Sequence, residues 1–571
     1  MHPSNHKTDI MKLIKKFILC LLIPAVILSC SSKKVKMENE LKAFIDTHVG
    51  IVKPLYKEAT LAYFNATITG KDEDFKKSAD INIKFTKIYA NKEDFAKLKK
   101  IKESGAVENP VLKRELDILY NGYLSNQIDT SLLEKIINME SEVEKKYSNF
   151  RAEVNGKKYS DNEVEEILKS SKSSDEVMNI WMAHKMIGPV VANDVKELVK
   201  MRNEAAKTIG FKNYHEMRLK LGEQDPEEIA RLFNELDNLT RDAYSKLKGQ
   251  IDEYLAGKFK IDKSQLMPWH YQNRYFQEAP KIYNVDLDTY YKNKDVVELT
   301  AKYYAGIGLP IESILKNSDL YEKPGKNQHA YCTDIDKEGD VRILCNVKPN
   351  YSWMGTMMHE IGHAVYDYYM PDSIPFLLKD PAHTFTTEAI AMMFGRMASN
   401  PQWLKDMVGI SEDEKNKISG DCNNSLRLEQ LVFSRWAQVM YNFEKNMYSN
   451  PDQDLNKLWW DMVERYQMIK CPEGRNEPDW ATKIHIATVP CYYHNYLMGE
   501  LLASQLNNYL SVNIVKSAEI RNQSFVNNNE VGKFLKDNVF AAADYYTWNE
   551  MIEKATGEKL TPKYYAKQFV E

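Results

Sequence analysis

Proline and glycine are scarce where they would divide the chain. Twenty prolines and 23 glycines occur in 571 residues, and few of them interrupt the long amphipathic runs between about residues 37 and 259. There is no fixed-period repeat and no low-complexity linker, which excludes a string of repeated modules. A dominant charge of one sign is also missing. The formal net charge is −4 and no basic face is clustered, so the chain lacks the footprint of a nucleic-acid binder. The apolar run Phe17 to Leu28 is too short to span a bilayer as a finished helix. Cysteine is rare: beyond Cys20 and Cys30 only Cys332, Cys345, Cys422, Cys471 and Cys491 remain, an odd number that leaves at least one thiol unpaired.

What is present is helix-forming sequence. Runs rich in Lys, Glu, Leu and Ala predict helix almost throughout residues 37–259. Ser173-Ser174-Asp175-Glu176 has the spacing of a capping box, Asp225-Pro226-Glu227-Glu228 marks another start, and Gly210 suits a helix end. The section from about residue 267 to 349 is more irregular and holds one convincing hairpin, His329 to Ile335 and Val341 to Asn346 around Lys337-Glu338-Gly339-Asp340. Centred between Glu338 and Gly339, that hairpin sets Cys332 opposite Cys345, where a disulfide can form or the thiols can stay reduced. With 43% hydrophobic residues the chain can bury a sizeable core. The expected fold class is all-α with this minor hairpin, as one continuous body over residues 37–571.

Lys12, Lys15 and Lys16 precede the apolar run in the manner of a signal peptide. Ile27-Leu28-Ser29-Cys30 resembles the bacterial lipoprotein box, in which the cysteine is lipidated and becomes the first mature residue. On that resemblance residues 1–29 are a leader and residues 30–36 a tether. The protein is then held in the bacterial cell envelope by a lipid on Cys30, on the periplasmic or the surface face. An ordinary signal peptide or an anchor helix is the alternative.

The most informative stretch is His359-Glu360-Ile361-Gly362-His363. Two histidines four apart on a helix stack on one face and can converge on one ion. The glutamate beside the first is placed to act as a general base. Met354, Met357, Met358, Ile361, Ala364 and Val365 make the helix apolar on nearly every side, and a buried helix seldom carries such polar groups without a use for them. A zinc ion that keeps an open position needs a third protein ligand. Glu388, in Thr386-Thr387-Glu388-Ala389-Ile390-Ala391, offers a carboxylate within an apolar segment, and His383 is a rival.

Taken with Pro381 to Ile390, this stretch resembles the zinc site of the angiotensin-converting-enzyme family of peptidyl-dipeptidases. His329-Ala330 followed by Asp340 to Ile343 is similar to its substrate strand. Trp459-Trp460 with Arg465-Tyr466-Gln467 and Cys471-Pro472, and then Lys483-Ile484-His485-Ile486, resemble further motifs in the same order, over about residues 267–502. The resemblance implies a two-lobed helical metallopeptidase with a deep central channel, one Zn2+ per chain on His359, His363 and Glu388, and an oligopeptide substrate cut by a monomer. It implies that His485 and Tyr496 stabilise the oxyanion and that Lys483 and Tyr493, or Tyr492 instead, bind the substrate's terminal carboxylate, with Gln272 as a helper. His329 and Ala330 would run beside the substrate backbone.

Two departures stand out. Met392 occupies the place of an acidic residue that supports the metal in the family, and Val463 and Asn495 stand where vertebrate members hold chloride with arginines, so activity without chloride is expected. An endo-acting oligopeptidase of the thimet-oligopeptidase type, or a peptide-binding lipoprotein that cuts nothing, remain alternatives.

Overall fold

A computed structural model describes residues 6–570, with side chains from residue 33 onward. The side chains of the leader and of Cys30 lie outside those described. Helices dominate as expected. α1 (His6–Thr69) and α2 (Asp72–Tyr89) form an antiparallel pair. With the helices Lys92–Glu103 and Pro110–Ser125 they pack around a small core of their own, which includes Leu41, Leu98, Leu116 and Tyr123. Among the described residues no helix is long and apolar enough to cross a membrane.

From Ile136 onward a single apolar core runs to Phe569. A short hairpin, β1 (Ala152–Val154) and β2 (Lys157–Tyr159), precedes the long helix α3 (Pro226–Phe259). The predicted starts hold: Asp225 accepts from the amides of Glu227 and Glu228, and Ser173 accepts from that of Glu176. The Glu176 carboxylate turns instead to the Ser171 hydroxyl at 2.6 Å, so only half of that capping box forms. Gly210 takes a φ of 96°, the left-handed turn that ends a helix.

The second hairpin pairs β3 (Tyr331–Asp334) with β4 (Val341–Leu344). Here the expected register fails. Cys332 faces Ile343, Thr333 faces Arg342, and both Cys332 and Cys345 are free thiols. Aspartates in the turn cause the shift. Asp334 Oδ1 accepts from the amides of Asp336 and Lys337, and Asp336 Oδ1 from those of Glu338 and Asp340. These bonds centre the turn one residue earlier, which slides the pairing by two and leaves each residue on its expected face.

α4 (Tyr351–Tyr368) carries the two histidines and packs most extensively on α5 (Thr384–Gly395). Gly362 allows that approach: a Cβ there would lie 2.6 Å from Ala391 Cα. α5 is held from behind by α7 (His494–Tyr509), and the 38-residue α6 (Glu412–Ser449) supports α7.

Candidate metal centre

His359 and His363 lie one turn apart on α4, and Glu388 reaches them from α5. The two Nε2 atoms are 3.3 Å apart, and each is 3.7 Å from Glu388 Oε2. Ligand separations of roughly 3.3–3.5 Å are what a tetrahedral ion with bonds of about 2.0–2.1 Å requires. The donor set is the nitrogen–nitrogen–carboxylate combination typical of an open zinc site, so these residues fit the ion. His363 Nδ1 is bonded to Thr387 Oγ1 at 2.8 Å, which turns its Nε2 towards the triad. Burial holds both imidazoles neutral, with His359 pushed down to about 4 and His363 to about 3, and a neutral ring is the form that ligates. His383 is excluded from the triad. It caps α5, its Nδ1 accepting from the Phe385 amide at 3.2 Å.

Glu360 is buried beside the triad, and burial followed by the nearby Glu388 pushes its carboxyl up to about 8. The chamber around them measures about 680 Å3 and is lined by β3, α4, the start of α5, and Tyr56 of α1. Ala330 forms part of that wall; the neighbouring His329 is exposed on the surface.

Lys483 and His485 approach from the other side. Lys483 is only 6% exposed, yet among the described residues its Nζ meets no carboxylate. It donates to Gln277 Oε1 at 2.7 Å and sits 5.0, 5.4 and 5.6 Å from the ring centres of Tyr275, Trp436 and Tyr493. Burial, then Arg274, lowers its ammonium to about 8. The glutamine at this lysine is therefore Gln277, and Gln272 lies five residues back in a left-handed bend with a φ of 59°. Tyr493 stacks edge-on with His485 at 5.4 Å and with Tyr496 at 5.4 Å. Burial pushes the Tyr496 hydroxyl up, and the Glu388 carboxylate adds to this, which places Tyr496 on the triad side. Tyr492 also feels Glu388 and packs on Tyr496, so it belongs to the triad side and not to Lys483. Cys491, just before these tyrosines, takes a left-handed turn, and its amide donates to the buried Glu444 at 2.9 Å.

The sequence profile described as angiotensin-converting enzyme, peptidase M2, matches residues 35–566. The chain belongs to that family. An angiotensin-converting enzyme of Theromyzon tessulatum is 22% identical over 80% of this chain and 79% of its own length. An angiotensin-converting enzyme-related protein of Drosophila melanogaster is 19% identical over 69% of this chain and 68% of its own. A protein of Caenorhabditis elegans described as inactive and angiotensin-converting enzyme-related is 17% identical over 57% of this chain and 40% of its own. Membership of the angiotensin-converting enzyme family indicates a peptidase, and the presence of an inactive relative puts the weight on the site itself. Here the three candidate ligands and the glutamate beside them are all present and stand together. Met392 packs its sulfur towards Gly499 of α7 and leaves the orientation of His363 to Thr387. Asn495 accepts from Gln224 at 2.7 Å, and Val463 is buried, so neither position offers a cation to an anion.

Proposed function

We infer that the protein is a zinc peptidase that releases dipeptides from the C-terminal end of oligopeptides. The observation that carries this is Lys483, a buried cation without a counter-ion among the described residues, connected through Tyr493 and Tyr496 to a triad that has Glu360 beside it. A buried charge without a partner is costly, and the C-terminal carboxylate of a bound peptide supplies the partner. A charge anchored at one end of the path fixes how far from the C-terminus the reacting carbonyl sits.

Held by His359, His363 and Glu388, a zinc ion would polarise the scissile carbonyl and ease the deprotonation of water. Glu360 takes the proton from the attacking water and returns it to the leaving amine, roles that its high proton affinity supports. Tyr496 and the neutral His485, pushed down to about 4 by burial and then by Lys483, are the donors for the developing oxyanion. His485 Nδ1 is buried with no hydrogen-bond partner among the described residues, so Nε2 is the nitrogen left to donate to substrate. Ala330 and the edge of β3 run beside the peptide backbone.

C-terminal amidation tests the exo-acting reading. An amidated oligopeptide should be cut far more slowly than its free acid; equal rates would make the protein an endopeptidase. We also propose that residues 1–29 are a lipoprotein leader and that the mature monomer is anchored through Cys30 in the bacterial cell envelope. Incorporation of labelled fatty acid into the wild-type protein but not into Cys30→Ala tests the anchor.

A further inference from the structure

The chamber has a charged wall that dipeptide release does not use. Asp334 at the end of β3, Asp367 in the last turn of α4 and Asp380 ahead of α5 line it together with Tyr56 and Lys379. His359, His363 and Asp367 recur at intervals of four, so the third carboxylate shares the face of the two ligands. The cations nearby are already paired, Lys337 within the wall itself. Lys337 is paired with Asp380, Lys379 with Asp372 at 3.0 Å, and Lys57 with Asp336 at 2.9 Å.

Asp334 gives one oxygen to two turn amides and keeps the other. Asp367 is half-buried in the wall, and no donor or cation among the described residues is bonded to it. Burial, then Asp334 and Asp380, push its carboxyl well above the usual carboxylate range. Asp334 and Asp367 therefore have no ion-pair partner among the described residues. A second metal ion does not suit it, because among the described residues only His359, His363 and Glu388 stand close enough to share one. Carboxylates spread this way suit a cation on a flexible stem.

The direction of the peptide says which residue would bring it. From Lys483 the ring contacts run through Tyr493 to Tyr496, whose hydroxyl feels the Glu388 carboxylate, and Asp367 lies about 6 Å further along α4 than His363. The triad therefore stands between Lys483 and Asp367. A peptide anchored at Lys483 sends its N-terminal part along β3 towards Asp334, and at about 3.3 Å per extended residue the acidic wall meets the second or third residue before the cut.

We propose that Asp367 and Asp334 form a subsite that selects peptides with arginine or lysine two or three residues before the cleaved bond. The orientation rests on the dipeptide-release reading. The test uses free-acid peptides identical except for arginine, its neutral isostere citrulline, or glutamate at each of those positions. Two quantities are read: kcat/KM on the zinc-loaded protein and Kd on the Glu360→Gln variant by fluorescence anisotropy. Arginine should exceed citrulline about tenfold or more in both, as a charge-assisted contact implies, with glutamate poorest. The arginine-to-citrulline ratio should fall towards one in Asp367→Asn and Asp334→Asn. Equal values for arginine and citrulline on the wild-type site, at both positions, overturn the subsite whether or not the variants fold. Internal cleavage with the arginine preference intact in Kd overturns dipeptide release and keeps the subsite, whereas dipeptide release without preference does the reverse.

Discussion

At the metal end, His359, Glu360 and His363 come from five consecutive residues of α4, whereas at the carboxylate end Lys483 meets a glutamine 206 residues away in sequence. The first end is held by close helix packing, with Gly362 against Ala391 and α7 behind α5. The second is a cage of rings and one amide around a cation, drawn from the irregular segment near Tyr275, from α6 and from the loop before α7. The metal end should decide whether chemistry occurs. The carboxylate end should decide where on the peptide it occurs.

Breaking the metal end gives the largest effect. Glu360→Gln should lower kcat by about 10²- to 10⁴-fold, the range for loss of a general acid–base, with peptide Kd by anisotropy little changed. Lys483→Ala should cost about 10- to 100-fold in kcat/KM on free-acid peptides, the loss of one charged contact, and should erase the distinction between free acid and amide. Equal losses on both substrates would place Lys483 at the chemistry and collapse the comparison. Thr387→Val removes the partner of His363 Nδ1 and should weaken zinc affinity about 10- to 100-fold by competition with a chromophoric chelator, since this bond orients a ligand.

pH sharpens the distinction further. The Lys483 ammonium is lowered to about 8, and only its protonated form binds a carboxylate. kcat/KM for free-acid peptides should therefore fall as pH rises through about 8. Lys483→Arg should move that limb to higher pH, because a guanidinium keeps its charge. The smallest effect expected is that of chloride: replacing it with another anion at constant ionic strength should leave the rate unchanged, given Val463 and Asn495. A several-fold rise with chloride would show a site that these two residues do not reveal.

The same contrast explains what could be read before the fold. A metal site on one helix leaves its signature in local spacing, so His359, Glu360, His363 and the apolar helix around them were legible, and the resemblance extended to Glu388 on the next helix. Lys483 and the spacing of Tyr493 and Tyr496 came with the resemblance as well. Gln277 could not be separated from Gln272, because nothing in an irregular loop says which side chain turns inward. The hairpin was legible but its register was not, since Asp334 and Asp336 moved the turn by one residue and took Cys332 away from Cys345. Asp367 did carry a signal, being four residues after His363, though its meaning depends on the wall built by Asp334 and Asp380. Thr387 gave none, because its bond to His363 crosses between helices.

The most direct test of the central claim is mass spectrometry of a free-acid decapeptide incubated with the purified protein, with and without a zinc chelator. The account predicts stepwise loss of C-terminal dipeptides that stops with the chelator and resumes when zinc is restored. Internal fragments would contradict the role of Lys483, and cleavage that ignores the chelator would contradict the metal centre.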